Sequence, residues 1–166
     1  MYYFDYIVMP EKKLIIEHFS GEINLGIILK QKYRESIDTK YNRNYNVIND
    51  SRNAVFFLNS DDIKNYVDHI RNNELLNRER NVAFLTKTPN QVVIATLFKE
   101  LKKELPINVS IVSTLNAALR GVELLSDENK LVKFNLNKLK NQSCKYNIKQ
   151  INNDEKIYIN SICTSN

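Results

Sequence analysis

The chain has 166 residues, of which 43% are hydrophobic and 26% charged, with a formal net charge of +5. This length makes one domain with room for an appendage, and it buries roughly 70% of its unfolded surface without needing disulfides or metal. No apolar run approaches the roughly 20 residues needed to span a bilayer. The positive charge is too small and too dispersed to mark a nucleic-acid protein; seven lysines against four carboxylates in residues 126–166 account for much of it.

Residues 2–9 and 13–20 are rich in aromatic and β-branched side chains, and Pro10-Glu11-Lys12 separates them, so they read as a hairpin. Gly21 is expected to end the second strand. Asn24 caps a helix running to about Ile37, with Leu25, Ile28, Leu29 and Tyr33 on its inner stripe. A polar loop then leads into a third strand over residues 45–49. In the next helix Ser60 reads as the N-cap, Asp61 and Asp62 favour the positive end, and Ile63, Tyr66, Val67 and Ile70 recur at helical spacing. Residues 81–85 form a short apolar strand.

Thr88 and Gln91 make a capping box around Pro89 at the first helical position. That helix buries Ile94, Leu97, Phe98, Leu101 and Leu105, and Pro106 stops it. Residues 108–112 are another strand, and Thr114 caps a helix with Leu115, Ala118, Leu119 and Val122 inward. Residues 1–125 therefore read β-β-α-β-α-β-α-β-α. This order implies an α/β domain with a largely parallel sheet and an antiparallel first strand at one end.

Residues 126–166 break the rhythm and are read as an extension. Over 126–140, caps and charge gradient suit a helix, while Val132, Phe134 and Leu136 alternate like a strand. Further on, a turn at Asn152 to Glu155 gives a C-terminal β-hairpin over 144–163 that pairs Ile148 with Ile159 and Cys144 with Cys163. It sorts Tyr146, Ile148, Ile157 and Ile159 onto one apolar face. An isolated hairpin is marginal, so this face needs the domain or a partner chain to cover it, and it is a candidate interaction surface. The two cysteines show no metal-ligand spacing, and the N-terminus lacks the features of a secretion signal. The cytoplasm is the expected compartment, with both thiols reduced and buried.

The segment Val47-Ile48-Asn49-Asp50-Ser51-Arg52-Asn53-Ala54, followed by a capped helix, together with Ile111-Val112 and Leu115 to Leu119, resembles the STAS/SpoIIAA-like family. The resemblance covers about residues 1–125. It implies a SpoIIAA-like sheet-and-helix fold and, usually, no enzymatic activity. Anti-sigma-factor antagonists of this family carry a phosphorylatable serine at the start of the second helix, and Ser60 is similar in position. The surrounding signature is absent and Asp61 and Asp62 would repel a phosphate, so a plain helix cap is the favoured reading. The wider family also implies a lipid or other apolar ligand as an alternative.

Asp50 and Arg52 stand where the third strand is expected to leave the sheet, the usual place for ligands in an open α/β fold. They are candidates for contact with an anion or a partner, against the plainer reading of a structural ion pair. His18 and His69 have no Cys, Asp or Glu at ligand spacing, and no catalytic constellation or cofactor motif is recognisable. The expectation is a non-catalytic cytoplasmic module acting through protein–protein contact, with a protein partner or a homodimer. Apolar ligand binding is the alternative, and an unrecognised enzyme the second alternative.

Overall fold

The computed structural model describes residues 1–125 and 129–145. In chain order the elements are β1 (Tyr2–Met9), β2 (Leu14–Ile23), α1 (Leu25–Ser36), β3 (Asn46–Phe56), α2 (Ser60–Arg71), β4 (Arg80–Leu85), α3 (Pro89–Leu101), β5 (Ile107–Val112) and α4 (Leu115–Gly121). A final helix, α5, spans 129–145. Among the described residues the strands form one sheet in the order β1-β2-β3-β4-β5. β1 is antiparallel to β2, and the remaining pairs are parallel. This is the α/β order expected from the sequence.

Each parallel strand joins the sheet on the same side as the one before. Right-handed crossovers then place α1, α2 and α3 on a single face. Ile15, Val47, Val82 and Ile107 point to that face, where they meet Ile63, Val67 and Ile70 of α2 and Phe98 of α3. Alternate residues Leu14, Ile16, Ile48 and Ala83 point the other way. Only chain beyond β5 is left to cover this second face. Ala118 and Leu119 of α4 do so, joined by Val132, Leu136 and Leu139 of α5.

The two readings of 126–140 are thereby resolved over its described part. Val132, Leu136 and Leu139 follow helical spacing and are buried, whereas Phe134, which the strand reading turned inward, is 66% exposed. Packing is continuous across residue 125 and reaches at least Leu139. Cys144 is helical and exposed, so the expected hairpin does not begin at this residue. The rest of the expected hairpin, with Tyr146, Ile148, Ile157, Ile159 and Cys163, lies outside the described residues.

Three further differences have physical causes. β2 runs past Gly21, which adopts φ +76°; a side chain there would bring a Cβ within 2.1 Å of the Met1 carbonyl oxygen. β3 continues to Phe56 through Asn49, Asp50 and Ser51, residues of poor strand propensity, because each is buried and partnered. α1 is rotated from the expected stripe: Ile27, Gln31, Lys32 and Glu35 face inward, and Tyr33 is 66% exposed.

The cap of α2 also moves by one residue. Asn59 accepts from the backbone amides of Asp61 and Asp62, both at 2.9 Å, and Asp62 accepts from the Asn59 amide at 3.0 Å. Ser60 is the exposed first residue of the helix and not its cap. The acidic residue at the third helical position selects Asn59, since counting from Ser60 would put Ile63 there. Asn59→Ala is expected to lower stability by about 1 kcal/mol and Ser60→Ala by no more than a few tenths, read from urea unfolding midpoints. The reverse order would restore Ser60 as the cap.

Candidate functional site

β2 and β3 are central strands, covered on both faces, yet each carries consecutive polar residues at the same level. Glu17 pairs in register with Asn49, and His18 with Asp50. Neighbours along a strand point to opposite faces, so this one level of the sheet feeds two buried polar clusters, back to back.

On the face covered by α1–α3, Glu17 accepts from Lys32 Nζ and, at 2.7 Å, from Asn49 Nδ2. Lys32 Nζ also donates to Glu35 at 3.0 Å, and Gln31 Nε2 donates to the other Glu35 oxygen at 2.9 Å. All of these side chains are buried. Burial would lower the Lys32 pKa, but Glu17 and Glu35 overcome it and hold the ammonium above the ordinary lysine range. Burial, helped by the Glu17 charge, pushes the Glu35 carboxyl up to about 7 against the pull of Lys32. Lys32 and Glu17 line a cavity of about 60 Å³ between the sheet and these helices, together with Tyr66, Arg80, Phe84 and Phe98.

On the face covered by α4 and α5, Asp50 is fully buried and held by Arg52 in a two-pronged pair, Nε to Oδ1 at 2.7 Å and Nη2 to Oδ2 at 2.9 Å. Lys140 of α5 comes within 3.4 Å of the same carboxylate. His18 Nδ1 lies 3.8 Å from Asp50, too long for a hydrogen bond, and among the described residues neither ring nitrogen has a hydrogen-bond partner. Burial would raise the Asp50 pKa, but Arg52, with Lys140 behind it, outweighs this and holds the carboxyl well below the usual range. A bulge aims the pair: between His18 and Ser20 of β2 stands one residue, while between their partners Asp50 and Asn53 of β3 stand two.

Asp50 therefore lies within β3 and not at its end, as the sequence suggested. It is instead the last β3 residue paired with β4, so Arg52 emerges beside the ends of β4 and β5. Two clefts flank Arg52 and Lys140 there. One, of about 310 Å³, is bounded by Thr114, Asn116, Lys133 and Asn137; the other, of about 460 Å³, by Asn53, Thr86, Lys87 and Ser113. The described lining holds four cations, Arg52, Lys87, Lys133 and Lys140, and no carboxylate. Arg52 and Lys140 remain 24% and 29% exposed at their side chains, so both can meet a second anion while holding Asp50.

Of the residues singled out from the sequence, Asp50 and Arg52 are brought together; Ser60 stands apart, exposed at the start of α2. His69 is exposed on α2. Among the described residues no three His, Cys, Asp or Glu side chains converge on a metal-sized site, and no helix is long and apolar enough to cross a membrane. Sequence reasoning missed Glu17, Lys32, Glu35, Arg80 and Lys140. Glu17 left a signal: a carboxylate within Leu14-Ile15-Ile16-Glu17-His18-Phe19, a strand apolar on both faces, requires a buried partner.

Among the described residues, four parallel strands edged by one antiparallel strand, with helices on both faces, define a mixed α/β protein. Among solved structures the chain is similar to an uncharacterised protein from the DUF3478 family with a SpoIIAA-like fold from Shewanella loihica PV-4. The two are 9% identical, the match covers 74% of this chain and 95% of that one, and the TM-score is 0.47. No family model matches the chain, and neither does any curated protein.

Proposed function

We propose that the protein is a non-catalytic cytoplasmic module that binds a protein partner, taking an acidic group of that partner into the clefts beside Arg52 and Lys140. The observation that carries this reading is the set of four cations around those clefts, with the one carboxylate at their base, Asp50, buried beneath two of them. Arg52 is held flat by its two bonds to Asp50, so an incoming carboxylate or phosphoryl group meets a donor already oriented, at little entropic cost. Asp50 itself stays ionised, which suits an anchor for cations and not a proton donor.

A lipid between sheet and helices is the second reading, and size counts against it. A dry cavity of roughly 150 Å³ holds benzene, so about 60 Å³ cannot admit an acyl chain unless the helices part.

The test is capture from lysate by the wild-type chain and by Lys87→Glu/Lys140→Glu, with circular dichroism to confirm the fold and light scattering for mass. A partner held by the wild type and reduced at least about tenfold by charge reversal is expected, with retention weakening as salt rises. Equal retention by both chains, or a wild type that stays monomeric and holds no partner, would overturn the proposal.

A further inference from the structure

The charge around the two clefts selects among acidic groups. Each cleft is lined by three cations: Arg52 and Lys140 in both, with Lys87 in one and Lys133 in the other. Asp50, buried beneath Arg52 and Lys140, balances one of the three and leaves two. A carboxylate would leave one of these unanswered, whereas a phosphoryl monoester, close to doubly charged at neutral pH, answers both. Shape points the same way. Arg52 reaches the Lys87 cleft from β3, Lys87 from just past the end of β4, and Lys140 from α5. A planar carboxylate is satisfied by one fork of donors, but a tetrahedral phosphoryl group presents three acceptor oxygens, one to each cation. Ser113 adds an exposed hydroxyl to this cleft, and its described lining is polar throughout. The Lys133 cleft differs in character: Leu115 and Leu136 stand in it among the amides of Asn116 and Asn137. Such a surface suits a polypeptide, whose backbone bonds to amides while its side chains meet the leucines.

We propose that the acidic group taken from the partner is a phosphorylated side chain, its phosphoryl dianion held by Arg52, Lys87 and Lys140, with the adjoining peptide in the cleft of Asn116 and Asn137. This rests on the partner-binding reading and narrows it from any acidic group to a phosphomonoester. Lys87 is the residue that makes the distinction. Arg52 and Lys140 already share Asp50, so the charge beyond one comes from Lys87, which is exposed and has no part in the core.

Short polyglycine peptides bearing one central phosphoserine, its monomethyl phosphodiester, glutamate or serine test this by calorimetric titration into the full chain. Phosphoserine is expected to bind at least about tenfold more tightly than glutamate or the singly charged diester, and serine not to bind measurably. In Lys87→Ala the gap between phosphoserine and glutamate should narrow to about threefold or less. Glycerol 3-phosphate, which has no chain for the second cleft, should bind at least about threefold more weakly than the phosphoserine peptide. Equal binding of phosphoserine and either singly charged peptide, or a gap unchanged in Lys87→Ala, would overturn the phosphoryl assignment. Equal binding of glycerol 3-phosphate would overturn its partner-borne source in favour of a free phosphate ester. Should no peptide bind while lysate capture still depends on Lys87 and Lys140, the phosphoryl assignment falls and the partner-binding reading stands; should capture fail as well, both fall.

Discussion

Lys32→Met is expected to lower the free energy of unfolding by about 4 kcal/mol at neutral pH, a large part of the roughly 5–15 kcal/mol typical of a domain. Lys32 Nζ bridges Glu17 and Glu35, and all three side chains are at most 7% exposed. Methionine fills nearly the same volume, so the packing loss is small, and the cost is that of Glu17 and Glu35 left buried side by side with no ammonium between them. Replacing all three members, as Glu17→Leu/Lys32→Met/Glu35→Leu, should recover most of that loss, because a well-packed apolar core offsets the lost ion pairs. The residual deficit would come from Gln31 and Asn49, which lose their acceptors. Urea unfolding with an unchanged m value measures both variants. A single-variant cost below about 1 kcal/mol would show that the triad is solvated and not buried.

The second large effect is on pH dependence. The unfolded Glu35 carboxyl titrates near 4.5 and the folded one near 7. Between these values the native state retains a proton that the unfolded chain has released, so raising the pH favours unfolding. The contribution is fully present below pH 4.5 and is lost as pH rises through about 7. Asp50 works in the opposite sense, its stabilisation lost only as pH falls below its unfolded value of 3.8, outside this window. Wild-type urea midpoints should therefore decline between about pH 5 and pH 8. Glu35→Gln keeps a carbonyl acceptor beside Gln31 and Lys32 but cannot titrate, so its midpoints should stay level. A wild type with level midpoints, or a variant with an undiminished decline, would mean that Glu35 ionises normally.

Much of the architecture was determined by the sequence alone. Alternating strand and helix periods, the Thr88–Gln91 box around Pro89 and the Thr114 cap all reappear, with Gln91 accepting from the Thr88 and Lys87 amides and Thr114 from Ala117. Such signals are local: a period or a cap is complete within a few residues, and side chains around it suffice to specify it. The antiparallel edge strand was legible for the same reason, because a short turn permits only a hairpin.

What tertiary structure decided was every feature whose partner lies far along the chain. Asp50 and Ser51 look like a loop in sequence and become strand because Arg52 and Lys140 hold the first and Asn49 accepts from the second. α1 turns polar residues inward because Glu17 waits on the neighbouring strand. α5 is a helix because three crossovers on one face leave Leu14, Ile16 and Ile48 bare on the other. Burial makes these choices: a charge or an apolar face removed from water must find its complement, and where that complement stands is known only once the sheet has formed.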